Sequence, residues 1–112
     1  MITKEQILMF KKSADTLHNA KDYTSAIILY FKTWFAIQDF ILLEKIGQSP
    51  KDHNERFRLL EKYFPKAYYE LDKEFFTYRD TYSKIMNHED CERIKKIVEN
   101  EINKYLIPGK KN

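Results

Sequence analysis

Apolar residues recur three and four positions apart along most of this chain, and where the rhythm breaks, a capping residue, glycine or proline stands. Ile7, Phe10, Ala14 and Leu17 mark one face of a first helix, entered through Thr3 and Gln6 at capping-box spacing and running to about Ala20. Asp22 is a good N-cap for the next segment, "YTSAIILYFKTWFAIQDFILLEKI", which Gly47 closes. That segment is apolar around most of its circumference, so it is expected at the centre of the molecule, covered on more than one side. Ser49 and Pro50 read as the N-cap and first turn of a third helix, with Phe57, Leu59, Leu60 and Phe64 on its apolar side and Pro65 at its end.

In the fourth segment Tyr68, Leu71, Phe75, Tyr78, Tyr82 and Ile85 alternate by three and four, the seam of a helix packed at a shallow angle. Asn87 or His88 caps the last helix, Glu89 and Asp90 suit its positive N-terminal end, and Ile94, Ile97, Val98, Ile102 and Tyr105 form its buried side. No segment sustains the period-two alternation of a strand. The pattern predicts an all-α, up-and-down antiparallel bundle of four to five helices, one domain over 1–106, with 107–112 as a flexible basic tail.

Composition narrows the function. With 112 residues, 43% of them hydrophobic, the chain can bury one real core, and two glycines leave few tight turns. Net charge of +3 permits RNA binding without implying it. Cys91, the single cysteine, excludes an intramolecular disulfide and a cysteine cage and fits a reducing cytoplasm. The opening "MITKEQILMFKK" lacks a long apolar region, and runs such as "AIILYF" are too short to span a bilayer, so a cytoplasmic chain without membrane contact is expected. Phosphate-cradling glycine loops, a Gly-x-Ser-x-Gly elbow and His-Glu-x-x-His are all missing. His18, His53 and His88 fall near helix ends in three different places, so neither a metal nor another cofactor is expected.

Two sets of polar residues stand out. Ser25, Lys32 and Asp39, seven apart, form a stripe on the central helix that should face one groove; Lys32 and Asp39 then need partners, as in an interhelical or intersubunit ion pair. Arg79 lies beside the aromatic seam, where its guanidinium can stack on rings or offer its fork of donors to a phosphate while tyrosines stack on a base.

Residues 20 to 84 resemble the HEPN superfamily, small helical bundles of prokaryotic toxin–antitoxin and nucleotidyltransferase-associated pairs. The resemblance is carried by "AKDYTSAIILYFKTWFAIQDFILLEKIG", with its Asp-Tyr entry and the aromatic pair Tyr30 and Phe31, by "GQSPKDH", and by Arg79. It implies a homodimer with a groove between subunits. The family's ribonuclease signature is an arginine followed, after four to six intervening residues, by a histidine. Here Arg79 matches, but the positions that follow hold Lys84, Ile85 and Met86, and His88 is too far along.

The missing imidazole matters because RNA cleavage by a ribose hydroxyl needs a group that both takes and gives a proton near neutrality, and a lysine ammonium does not readily do so. Two functions therefore compete. The resemblance favours a non-catalytic binding module, the partner of a small nucleotidyltransferase, with nucleotide or RNA held by Arg79, Tyr82, Lys84, Lys32 and Asp39 in the dimer groove. The alternative is a metal-independent RNA endonuclease toxin in which Arg79 binds the scissile phosphate and Lys84, or a histidine from elsewhere, replaces the missing group. A dimer with no ligand beyond its protein neighbours is the third.

Overall fold

The computed structural model describes residues 1–107; the basic tail expected at 107–112 lies, apart from Ile107, outside them. Five helices follow in chain order: α1 (Lys4–Asn19), α2 (Tyr23–Ile46), α3 (His53–Tyr63), α4 (Pro65–Asp80) and α5 (His88–Tyr105), with no strand among the described residues. The helix ends show why the chain divides there. Thr3 Oγ1 accepts from the Gln6 amide at 3.2 Å while Gln6 Oε1 accepts from the Thr3 amide at 2.9 Å, a closed capping box. Asp22, Asp52 and Asn87 accept from the third amide of α2, α3 and α5 respectively.

At the other end of α2, Gly47 takes the left-handed conformation (φ 74°) that closes a helix. Lys21 does the same after α1 with φ 64°, its amide donating to the His18 carbonyl and that of Asp22 to the Leu17 carbonyl. A non-glycine residue there costs about 1–2 kcal/mol, more than the about 0.4–1 kcal/mol of extra unfolded-state freedom a glycine brings. Lys21→Gly is therefore expected to stabilise the protein by about 0.5–1 kcal/mol, read as a higher urea midpoint at unchanged slope.

α2 is the axis of the bundle, packed by α1 and α5 and capped by the α3–α4 hairpin. Trp34, Tyr30, Phe31, Ile27, Ile37 and Leu42 are wholly buried; each large side chain contributes on the order of 2–3 kcal/mol. By length and composition α2 suffices to cross a bilayer, but 67% of its most apolar window is buried inside the bundle. The expectation drawn from short apolar runs thus holds for the runs and not for the helix as a whole.

Polar ties fix how the helices meet. Tyr30 donates to Asp15 at 2.5 Å, and Asp15 also pairs with Lys11 at 2.7 Å, joining α2 to α1. Arg93 of α5 reaches α4 twice, at Glu74 (3.1 Å) and Thr77 (2.9 Å). Both α4 partners are buried, so the charge on Glu74 is answered in place.

Two expectations need correction. α3 starts one turn later than Ser49 and Pro50 predict, because Asp52 supplies the cap. The aromatic seam of α4 also stops short. Tyr68, Leu71, Phe75 and Tyr78 do pack inward, but the helix ends at Asp80, leaving Tyr82 74% and Ile85 97% exposed. Thr81 donates its hydroxyl to the Tyr78 carbonyl at 2.6 Å, tight turns follow, and the Met86 amide donates to Thr24 Oγ1 at 2.8 Å. Met86 is buried, whereas its neighbour Ile85 is exposed.

Candidate functional site

The densest polar and aromatic cluster joins α2, α3 and α4. Asp52 caps α3 and so fixes His53 as its first residue, with Arg56 one turn later. The His53 ring lies 4.7 Å from Phe35 of α2 and 5.6 Å from Phe75 and 6.0 Å from Tyr78 of α4, centroid to centroid. Arg56 donates Nε to Asp39 Oδ1 at 2.7 Å and Nη2 to Oδ2 at 3.0 Å, a two-pronged pair, and stacks over Phe35 at 5.1 Å. Its Nη1 lies 2.6 Å from His53 Nδ1. A guanidinium can only donate, so Nδ1 accepts and the imidazole carries its proton on Nε2. Burial, then the Arg56 charge, lowers the His53 pKa below its ordinary value, consistent with this neutral tautomer.

Beyond this box Tyr78 and Tyr82 share a hydroxyl–hydroxyl hydrogen bond of 2.9 Å. Burial, followed by that bond, pushes the Tyr78 phenol up to about 12, so it works as a neutral hydrogen-bonding group. Arg79 occupies the last turn of α4, one turn after Phe75; it is exposed, and its guanidinium makes no hydrogen bond or ion pair among the described residues. Lys84, also exposed, pairs with Asp80 at 3.5 Å.

The stripe on α2 does not form one groove. Lys32 is exposed and leans on the ring of Phe10 from α1 at 5.0 Å, whereas Asp39 is held by Arg56 from α3. Seven-residue spacing puts both on one side of the helix, but different neighbours cover its two halves. Arg56, which the pattern along the chain does not single out, and His53, expected only as an isolated histidine near a helix end, are therefore the groups that organise Asp39; their signal was a helix start at Asp52, with histidine and arginine one turn apart behind it.

The outer side of α4 carries a second pattern. Lys66, Tyr69, Lys73, Phe76 and Arg79 follow one another by three, four, three and three residues, and all are exposed, Tyr69 at 69% and Phe76 at 51%. Lys66, Tyr69 and Lys73 border a shallow hollow of about 450 Å³. A hollow of about 550 Å³ opens on the next side, between α4 and α5, and buried Glu101 forms part of its wall. Desolvation, with the nearby Glu70 charge next, lifts the Glu101 carboxyl to about 7, against the pull of Lys104 and the Trp34 indole.

His18 and His88 do not stay in separate places as their positions in the chain suggest. Their rings lie 5.7 Å apart, both close to Tyr23, and Glu92 reaches toward each. His53 alone remains distant from this pair, enclosed by the α2–α4 aromatics. No protein-family model, no curated protein and no solved structure matches the chain.

Proposed function

We propose that the chain is a HEPN-like, non-catalytic binding module whose α4 face receives single-stranded RNA or a nucleotide. The observation that carries this reading is the exposed ladder Lys66, Tyr69, Lys73, Phe76 and Arg79, in which cations alternate with rings along one side of a helix. Cations at this spacing follow a phosphate backbone while the rings stack on bases, which is how strands are held without sequence readout. Among the described residues Arg79 has its full set of donors to offer, and Tyr82 and Ile85, past the end of α4, are also exposed. In this reading the module is a homodimer with the ligand in a groove between the subunits, as the HEPN resemblance implies. In this reading it works in the cytoplasm, beside a small nucleotidyltransferase, in a prokaryotic toxin–antitoxin type pair.

Fluorescence anisotropy with a labelled single-stranded RNA tests the reading. Tyr69→Ala or Phe76→Ala is expected to weaken binding about tenfold, as the loss of one stacked base does. Arg79→Ala is expected to weaken it and to lower the salt slope by about 0.7, one phosphate contact. RNA affinity that is absent, or unchanged in all three variants, would rule the reading out.

The alternative, a metal-independent endoribonuclease using Arg79 with Lys84, is favoured by one observation. His53, held neutral, packs on the ring of Phe75, one turn before Arg79 along α4, and in this reading it is recruited as the histidine that Lys84, paired with Asp80, replaces poorly. Cleavage of the same RNA without metal, lost in Arg79→Ala and in either Lys84→Ala or His53→Ala, would select it over the binding module.

A further inference from the structure

The end of α1 and the start of α5 bring together three side chains that the RNA-binding face does not use. His88 and Glu92 stand one turn apart on α5, the spacing at which two helical side chains close on one ion, with His88 Nε2 3.8 Å from Glu92 Oε2. From α1, His18 hydrogen-bonds Glu92 Oε2 through Nε2. Its other nitrogen, Nδ1, is buried with no hydrogen-bond partner among the described residues, so Nε2 is the atom His18 presents. The ligand atoms of all three residues lie within 4.8 Å of one another. In a tetrahedral site with bonds of about 2.0–2.1 Å, ligand atoms stand about 3.3 Å apart. Closing these atoms to that separation is the adjustment that ion binding would require of the side chains, and Tyr23 packs against both imidazoles from the start of α2.

We propose that His18, His88 and Glu92 form a divalent metal site of the zinc class, with a fourth position open to water or an anionic ligand. Two imidazoles and a carboxylate are a donor set that Zn²⁺ accepts and that Mg²⁺, which prefers oxygen donors and retained water, does not. The ion ties the C-terminal end of α1 to the first turn of α5, replacing the His18–Glu92 hydrogen bond by coordination of both groups.

The test uses the full chain purified without a histidine tag. Zn²⁺ is titrated against a chromophoric chelator, Co²⁺ is followed by its visible spectrum, and Tm is measured with and without each ion. One Zn²⁺ per chain is expected, with a four-coordinate Co²⁺ spectrum, a raised Tm, and no such response to Mg²⁺. His88→Ala and Glu92→Gln should each lower Zn²⁺ affinity at least about tenfold, since even outer-sphere losses cost about 10–100-fold. Both positions are about half exposed, so the variants retain the fold. His53→Ala, remote from the cluster, should leave the affinity unchanged. Sub-stoichiometric binding, equal binding by both ligand variants, a loss in His53→Ala as large as theirs, or an equal response to Mg²⁺ would overturn the site.

Discussion

Replacing Arg56 by Met is expected to cost about 2–3 kcal/mol of stability, below the about 3–5 kcal/mol of a fully buried pair because Asp39 keeps some access to water. The Arg56 side chain is 10% exposed and that of Asp39 is 22%, so the variant leaves a carboxylate with little solvation and no cation. It also removes the guanidinium from the Phe35 ring and the donor from His53 Nδ1. Asp39→Leu alone should cost a similar amount by stranding the arginine. The double variant Asp39→Leu/Arg56→Met should return to within about 1 kcal/mol of the parent, since a buried ion pair adds little over apolar side chains of similar volume. Urea unfolding of the four proteins gives the coupling energy directly, and additive losses would show that the pair does not act as a unit.

The same substitution has a signature in pH. His53 binds its proton less readily in the fold than in the unfolded chain, where the ordinary value is 6.5. Its contribution is therefore present above about pH 6.5 and lost as pH falls through the lower folded value. With Arg56 gone, the second cause of that shift disappears, so an NMR titration of the His53 ring should move back toward the ordinary value, by the part that burial does not account for.

Glu101→Gln is expected to stabilise the protein by about 2 kcal/mol at pH 8 and by almost nothing near pH 4.5. The folded carboxyl titrates near 7 instead of 4.5, and at about 1.36 kcal/mol per pH unit the displacement sets an upper bound of about 3 kcal/mol. The sign follows from the raised value. The folded chain holds a proton that the unfolded chain has released, so stability falls as pH rises from 4.5 through 7 and the whole penalty is present above it. A glutamine is neutral throughout and keeps nearly the same shape. The difference in unfolding free energy between parent and variant, measured from pH 4.5 to 8, isolates this group from every other; a difference that does not grow with pH would mean that Glu101 is already charged in the fold at low pH. The site is costly first because burial strips the carboxylate of water and then because the Glu70 charge lies nearby, while among the described residues the buried Trp34 indole N–H forms no hydrogen bond of good geometry.

The two proposed surfaces draw on separate groups. The α4 ladder faces outward and carries the proposed RNA contacts, whereas the His18, His88 and Glu92 cluster belongs to the α1–α5 junction. A protein that loses zinc affinity in His88→Ala yet keeps RNA affinity would show the two acting independently.

The all-helical character and most helix ends were legible because their causes are local. Thr3 with Gln6, Asp22, Gly47 and Asn87 each act within one turn of their own position, and the apolar circumference of α2 demands cover wherever it lies. α3 was misplaced because Ser49–Pro50 and Asp52 are locally comparable starts. The choice between them places His53 and Arg56 against Phe35 and Asp39, which no nearby residue can specify. The α4 periodicity continues through Ile85 in the sequence, but the folded chain gives that up to bury Met86 and satisfy its amide on Thr24, a partner on another helix. Arg79 could be picked out as a candidate from its neighbours, while its lack of a partner among the described residues and its place in an exposed ladder depend on what the rest of the bundle leaves uncovered. The meeting of His18 with His88 was hidden for the same reason. Periodicity and capping determine helices one at a time, and only the packing of those helices decides which distant side chains share a site.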